Sequence, residues 1–475
     1  MKHLLAAALL LAAAPAFADT ASEAKVAAIM EKLRPDEAAL RVLLQQMPKG
    51  GDLHHHLDGS VWAEDFLKWA DDDGWCIDMA SHALAPPPCT ASQVEARGLL
   101  NRDPVFYAAT IDALSLRNFV PGTGTGEASA HDHAFAAFPR FGRVMAGHLG
   151  DALAVTRRQA AGDNVQYMEQ ITDPAGAFSP ELLGAVTSFN PQNFDAALRQ
   201  VAPRLPALIA AARAEYDAAE RTMGAKLGCG TASPDPACGV KSRYLYFVLR
   251  TFQPAQVFAQ TALGFALADA DPRFVGINLV APEDDAVALR DFSLHMRIFQ
   301  YFHRKYPKVK LSLHAGELSL GLVPPSALGF HIRDTIEIAG ASRIGHGYEI
   351  THERDAAGLM ADMAKQGIAV EVNLTSNAMS PGVKGAEHPL HMLMRAGVPI
   401  TLSADDEAVF RIDLTHEYVR AVLEQKLTYT DLKTAARNGI RYSFLPPPEK
   451  SAALAALEQA FDGFETRVIA GAIVP

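Results

Sequence analysis

The sequence predicts an α/β protein: a (β/α)8 TIM-type barrel with helical insertions after the first and second strands. Three observations predict it. Eight short apolar runs read as strands buried on both faces, as parallel strands are. Helix-periodic stretches separate most of them, and strands that alternate with helices form a parallel sheet. Four of the runs end in histidine, aspartate or glutamate, and barrel enzymes keep their chemistry at strand ends.

The elements follow in chain order. Residues 20–47 carry helical periodicity through Val26, Ile29, Met30 and Leu33, then Leu40, Val42 and Leu43. Pro35 interrupts it, which predicts two helices. The strands are Gly51–His56, Val165–Ile171, Tyr244–Thr251, Phe274–Val280, Val309–His314, Arg343–His346, Ile368–Leu374 and Pro399–Asp405. Helical patterns lie at Asp284–Tyr306, Gly329–Gly340, Asp355–Gln366 and His388–Gly397. The long gaps after the first and second strands predict mostly helical insertions, around 60–160 and 175–240, on one barrel domain spanning 19–475.

The N-terminus, Met1-Lys2-His3 then apolar Leu4–Ala14 and Ala16-Phe17-Ala18, predicts a signal peptide over residues 1–18. Its apolar run is too short to span a bilayer. The expected product is exported, periplasmic or extracellular, with no membrane attachment after cleavage. The cysteines agree, falling in local pairs, Cys76 with Cys89 and Cys229 with Cys238. Local pairing is the simplest of three connectivities in an oxidising compartment. The 475-residue chain is 49% hydrophobic and has a formal net charge of −11, which disfavours a nucleic-acid partner.

Alternation along a strand puts His54 and His56 on one face and His55 on the other. Three histidines and one aspartate from these strand ends would make a full zinc ligand set. The bland alternative is a histidine-rich surface loop. Glu317, three residues past His314, is left over as an acid/base; alternatively it caps a helix. His346 sits between Gly345 and Gly347, as a site residue or as a core histidine in a turn. Asp405 and Asp406 are hard to bury together without a cation, unless they cap the next helix. A second His-x-His, His131-Asp132-His133, has helical phenylalanine neighbours and reads as helix surface rather than a ligand pair. No lysine lies in Phe274–Val280, which disfavours a two-metal site bridged by a modified lysine.

Together these segments resemble adenosine deaminases. The stretch Met47-Pro48-Lys49-Gly50-Gly51-Asp52-Leu53-His54 is similar to the secreted branch, the adenosine deaminase-related growth factors. Tyr167-Met168-Glu169, Gly276-Ile277-Asn278-Leu279, His314-Ala315-Gly316-Glu317, Arg343-Ile344-Gly345-His346-Gly347 and Ser403-Ala404-Asp405-Asp406 follow in family order. The resemblance implies one zinc on His54, His56, His314 and Asp405. It implies that Glu317 protonates purine N1, and that His346 orients and deprotonates the attacking water. It also implies that Asp406 contacts N7 and the incoming hydroxyl, that Asp58 binds the ribose 5′-hydroxyl, and that Ala281 offers its N–H to the base. The departures are Ala281 where members often have glycine, Glu407 for proline, and Gln170 where arginine is common; they bear on substrate more than on chemistry.

The expected reaction is hydrolytic deamination of adenosine, with 2′-deoxyadenosine, to inosine and ammonia; the expected partner is a small-molecule nucleoside, with a homodimer left open. The alternatives are a zinc aminohydrolase for another aminopurine or modified nucleoside, and a non-catalytic nucleoside-binding protein. A purely structural metal protein has no use for Glu317.

Overall fold

The computed structural model describes residues 21–473, so the expected signal peptide lies outside the described residues. Pro35 separates two helices, Ala21–Leu33 and Glu37–Gln46, the second capped by Asp36 accepting from the Ala39 N–H. Lys433 anchors the first helix through Glu23 at 2.8 Å and holds Glu465 of the last helix at 2.7 Å.

Eight parallel strands follow in sequence order, each hydrogen-bonded to the next. They are β1 (Gly50–His56), β2 (Val165–Ile171), β3 (Lys241–Leu249), β4 (Phe274–Val280), β5 (Lys310–Ala315), β6 (Arg343–His346), β7 (Ala369–Val372) and β8 (Ile400–Leu402). The seam between last and first strands is closed just past β8: the Asp405 N–H donates to His54 O at 3.0 Å, and the His56 N–H donates to Asp405 O at 3.1 Å. This is the expected (β/α)8 barrel, with bounds shifted by a few residues.

The insertion at 57–164 is mainly helical, but it also holds a small antiparallel sheet of Cys76–Asp78, Leu84–Ala85 and Gln93–Glu95. Such short strands leave no readable periodicity. Cys76–Cys89 lies in this insertion and Cys229–Cys238 in the second, both paired as expected. The helix Ala130–Met145 of the first insertion lies over the C-terminal mouth of the barrel and lines the large cavity there with Phe135, Phe138, Gly142 and Met145.

One expectation needs correction. His131 and His133 are on this helix, but neither is at the surface; they are 8% and 5% exposed. Each ring finds its own acceptors, His131 Nε2 at 3.1 Å from Asp284 Oδ1 and His133 Nε2 at 3.0 Å from Asp112 O and Ser115 O. The helix packs both ways, against the barrel mouth and against its own insertion, so its polar positions are covered as well.

Candidate active site

The strand ends bring eight of the nine candidate site residues to the wall of one cavity of about 760 Å³, with His54 packed against them rather than on the wall. His56 ends β1, His314 is one residue from the end of β5, His346 ends β6, Asp405 lies three residues past β8, and Ala281 directly follows β4. Asp58, Glu317 and Asp406 line the same cavity. Neither Glu317 nor Asp406 caps a helix: residues 316–324 form none, and the helix after β8 begins at Leu414 with Asp413 as its cap. Three cavity residues other than glycine hold left-handed backbone, Ala281 (φ 81°), His346 (φ 62°) and Asp405 (φ 61°). Such strain gathers where a fold over-determines its functional groups.

Four side-chain atoms converge. His54 Nε2 lies 3.1 Å from His314 Nε2 and 3.5 Å from Asp405 Oδ1. His56 Nε2 lies 3.3 Å from His314 Nε2 and 3.4 Å from Asp405 Oδ1. His346 Nε2 stands further out, 3.8 Å from Asp405 Oδ2 and 3.7 Å from Glu317 Oε1. Gly345 makes room for this packing, because a Cβ there would meet His54 Cε1 at 2.7 Å.

The opposite ring nitrogens settle what the facing atoms carry. His54 Nδ1–H donates to Glu371 Oε2 at 2.8 Å, and a carboxylate only accepts. His314 Nδ1–H donates to Asn278 Oδ1 at 2.7 Å, an oxygen identified by also accepting the His314 backbone N–H at 3.2 Å. In the neutral rings both Nε2 atoms therefore present lone pairs to one another. Such a pair calls for positive charge between the two atoms, a proton or a bound cation, and tetrahedral arms of about 2.0–2.2 Å put metal ligand atoms roughly 3.3–3.6 Å apart. The charge balance agrees. Burial pulls His54 down, but Asp405 and Glu371 on either side lift it to about 10, so this point demands positive charge. Burial and the neighbouring histidines keep His56 (about 3) and His314 lowered and uncharged, as metal ligands must be. The donor set fits a divalent metal.

The supports of these ligands were not foreseen from sequence. Glu371 of β7 accepts from His54, from Ser312 Oγ at 2.6 Å and from Arg343 Nε at 2.5 Å, while Arg343 Nη2 donates to Glu169 at 2.5 Å. Asn278 orients His314, and Asn377 Oδ1 lies 3.0 Å from His346 Nδ1. His55 turns away from the cavity toward Glu407 at 3.7 Å, so the Glu407 departure sits behind the ligands. Gln170 donates to Thr156 Oγ1 at 2.9 Å and does not line the cavity.

The other site carboxyls are pushed toward the neutral form. Burial raises Glu317, and the charges of Asp405 and Glu283 add to it against His346. Burial, then Asp405 and Asp58, raises Asp406 well above the usual range, and burial lifts Asp58 to about 6.

The adenosine deaminase family profile matches residues 226–460, which carry β3 to β8 and six of the site residues at or just past their ends. The chain belongs to the adenosine deaminase family. An adenosine deaminase of Serratia proteamaculans is 36% identical over 143 residues, 30% of this chain and 40% of that protein. An adenine deaminase of Sinorhizobium fredii is 29% identical over 237 residues, 49% of this chain and 66% of that protein. The aligned stretches thus span 40% to 66% of these relatives. Among solved structures, a zinc-bound amidohydrolase from Burkholderia ambifaria shares the fold, with a TM-score of 0.56, 19% identity, and 91% of this chain and 95% of that one covered.

Proposed function

We propose that this adenosine deaminase family member is an exported, zinc-dependent hydrolase that converts adenosine and 2′-deoxyadenosine to inosine and ammonia. The observation that carries it is the pairing of a histidine cluster that calls for positive charge with Glu317, whose carboxyl burial pushes toward the neutral form beside it. His54, His56, His314 and Asp405 would hold one zinc. When bound, zinc supplies Lewis acidity that lowers the pKa of a water to about 7.

The chain's own groups do the rest. Glu317 gives its proton to purine N1 as water attacks C6, so that negative charge does not build on the ring. His346, set between Glu317 and Asp405, takes a proton from the attacking water, and the amine collects a proton as the C6–N bond breaks and ammonia leaves. Asp406 contacts N7 and the incoming hydroxyl. Asp58 receives the 5′-hydroxyl, and Ala281 offers its N–H to the base.

The cavity wall speaks to substrate class. No lysine or arginine is among its lining residues, while Asp58, Asp173 and Glu215 are. A phosphate needs a cationic cradle, so an unphosphorylated nucleoside fits better than a nucleotide. A volume of about 760 Å³ lies in the upper part of the roughly 300–1,000 Å³ range of ligand pockets and exceeds what a bare base requires. Adenine is the second reading, favoured by the 237-residue similarity to an adenine deaminase. Ammonia release from adenosine, 2′-deoxyadenosine, adenine and AMP separates these. Turnover of the two nucleosides with AMP at least a hundredfold poorer is expected. Preference for AMP, or no ammonia from any of the four, would overturn the proposal.

Export rests on the Met1–Ala18 pattern and is supported by the two disulfides. Secreted protein should begin at Asp19 and weigh four hydrogens less than its reduced form. Free thiols in that material would contradict this.

A further inference from the structure

Glu317 has no helix to fix it, yet the chemistry proposed above needs its carboxyl in one place. Gly316 and Glu317 leave β5 on a turn with Gly316 at φ 71°, where a Cβ would press on Ile332 at 2.7 Å. Both peptide N–H groups of this turn point at one buried carboxylate. The Glu317 N–H donates to Glu283 Oε2 at 2.7 Å, and the Gly316 N–H donates to Glu283 Oε1 at 3.3 Å.

Glu283 lies three residues beyond β4, on the neighbouring strand's loop, and is 2% exposed. It is itself tightly held. His331 Nδ1 donates to Oε1 at 2.6 Å, with its ring stacked on Phe292 at 3.9 Å. Arg250 Nη1 lies 3.5 Å from the same oxygen, while Arg250 Nη2 donates to Leu279 O at 2.7 Å and His314 O at 3.0 Å. One guanidinium thus ties the ends of β4 and β5 together beside the carboxylate. Burial alone would protonate Glu283, but His331 and Arg250 outweigh it and keep the group ionised, lowered to about 2. A carboxylate that accepts two consecutive backbone N–H groups fixes the direction of that backbone, and charge-assisted bonds of this kind are the strong ones.

We infer that Glu283 is a positioning residue for the reaction: gripped by His331 and Arg250, it clamps the Gly316–Glu317 backbone so that the Glu317 carboxyl is held over the substrate ring. The inference rests on the functional reading above, in which Glu317 is the proton donor. It extends that reading from the acid to what aims it.

The test is a double-mutant cycle on the full-length, metal-loaded protein, with adenosine as substrate. Glu283→Gln keeps the shape but sets an amide NH2 against one of the two backbone N–H groups. The expected result is a 10- to 100-fold fall in kcat, with KM within about threefold and metal content unchanged. In a Glu317→Gln background the same substitution should cost less than about twofold, because the group it aims is already gone. A role in folding alone predicts the same proportional loss in both backgrounds and would overturn the inference, as would full kcat in the single variant. If Glu283→Gln does not yield folded protein, His331→Leu leaves the carboxylate in place and removes its main partner. Its kcat loss should likewise vanish in the Glu317→Gln background, and a loss that persists there overturns the inference. A wild type that deaminates no aminopurine would overturn the functional reading and this inference with it, whereas an active wild type with an indifferent Glu283→Gln would overturn this inference alone.

Discussion

His54/His56 and His131/His133 have the same spacing and opposite fates. On β1 the period of two puts both rings on one face, and their Nε2 atoms meet His314 and Asp405 at 3.1–3.5 Å. On the helix Ala130–Met145, two residues turn about 200°, so His131 and His133 face apart and reach acceptors on different segments. The first pair crowds its Nε2 atoms against His314 and Asp405 and calls for positive charge there; the second leaves no such demand. Ligand spacing therefore has meaning only together with the element that carries it. The strain differs too. Left-handed backbone occurs at Ala281, His346 and Asp405 beside the first pair, whereas the second pair sits in regular helix.

The largest expected effect tests the first pair directly. His56→Ala should lose the metal on purification and reduce deamination by at least a thousandfold, with partial recovery on added zinc. Retained stoichiometric zinc by elemental analysis would show that His56 is not a ligand and that the tighter geometry had misled. Next comes Glu317→Gln. A general acid is worth about 10²–10⁴ in rate, so kcat should fall by that much while zinc content stays at one per chain. A variant within about tenfold of wild type would defeat the proton-donor role.

The second pair should answer with stability alone. His133→Ala leaves the Asp112 and Ser115 carbonyls and Glu127 short of a donor, a cost of about 1–3 kcal/mol in denaturant unfolding. Metal content should not change; a drop would mean that this helix reaches the metal site in ways its hydrogen bonds do not reveal. His131 adds a pH signature. Burial pulls its pKa down, but the bond and charge of Asp284, helped by Asp132, lift it to about 9. An unfolded histidine titrates near 6.5. The His131–Asp284 contact therefore stabilises fully below about pH 6.5 and loses its effect as pH rises through about 9. The melting difference between wild type and His131→Ala should be large at pH 6 and shrink toward pH 10. A difference that grows with pH would reverse the assignment.

The barrel and the convergence of its strand-end histidines and Asp405 were legible because each strand is an apolar run and each of these side chains sits at or just past its end, both local signals. The supports were not. Glu371 lies 317 positions from His54, Asn278 lies 36 from His314, and Glu283 lies 34 from Glu317. A lone acid or amide within an apolar run does not announce its partner, because only the closed barrel decides which strands adjoin. The burial of His131 and His133 escaped for a related reason: periodicity shows that a helix forms, not that two different surfaces cover it.

The smallest expected effect concerns the strain beside the first pair. Ala281 holds φ 81° directly after β4, on the wall of the cavity. A residue with a Cβ is strained there, whereas glycine adopts this region freely. Glycine's greater freedom in the unfolded chain offsets part of the relief. Ala281→Gly should therefore raise stability by only about 0.5–1 kcal/mol, a small upward shift in Tm. The backbone N–H proposed to meet the purine is retained, so kcat/KM for adenosine should stay within about twofold. Two outcomes would be informative. Lower stability would mean that the Ala281 methyl packs well enough to outweigh its backbone strain. Unchanged stability with markedly altered kcat/KM would place the methyl in contact with the substrate, making Ala281 a determinant of which aminopurine the cavity accepts.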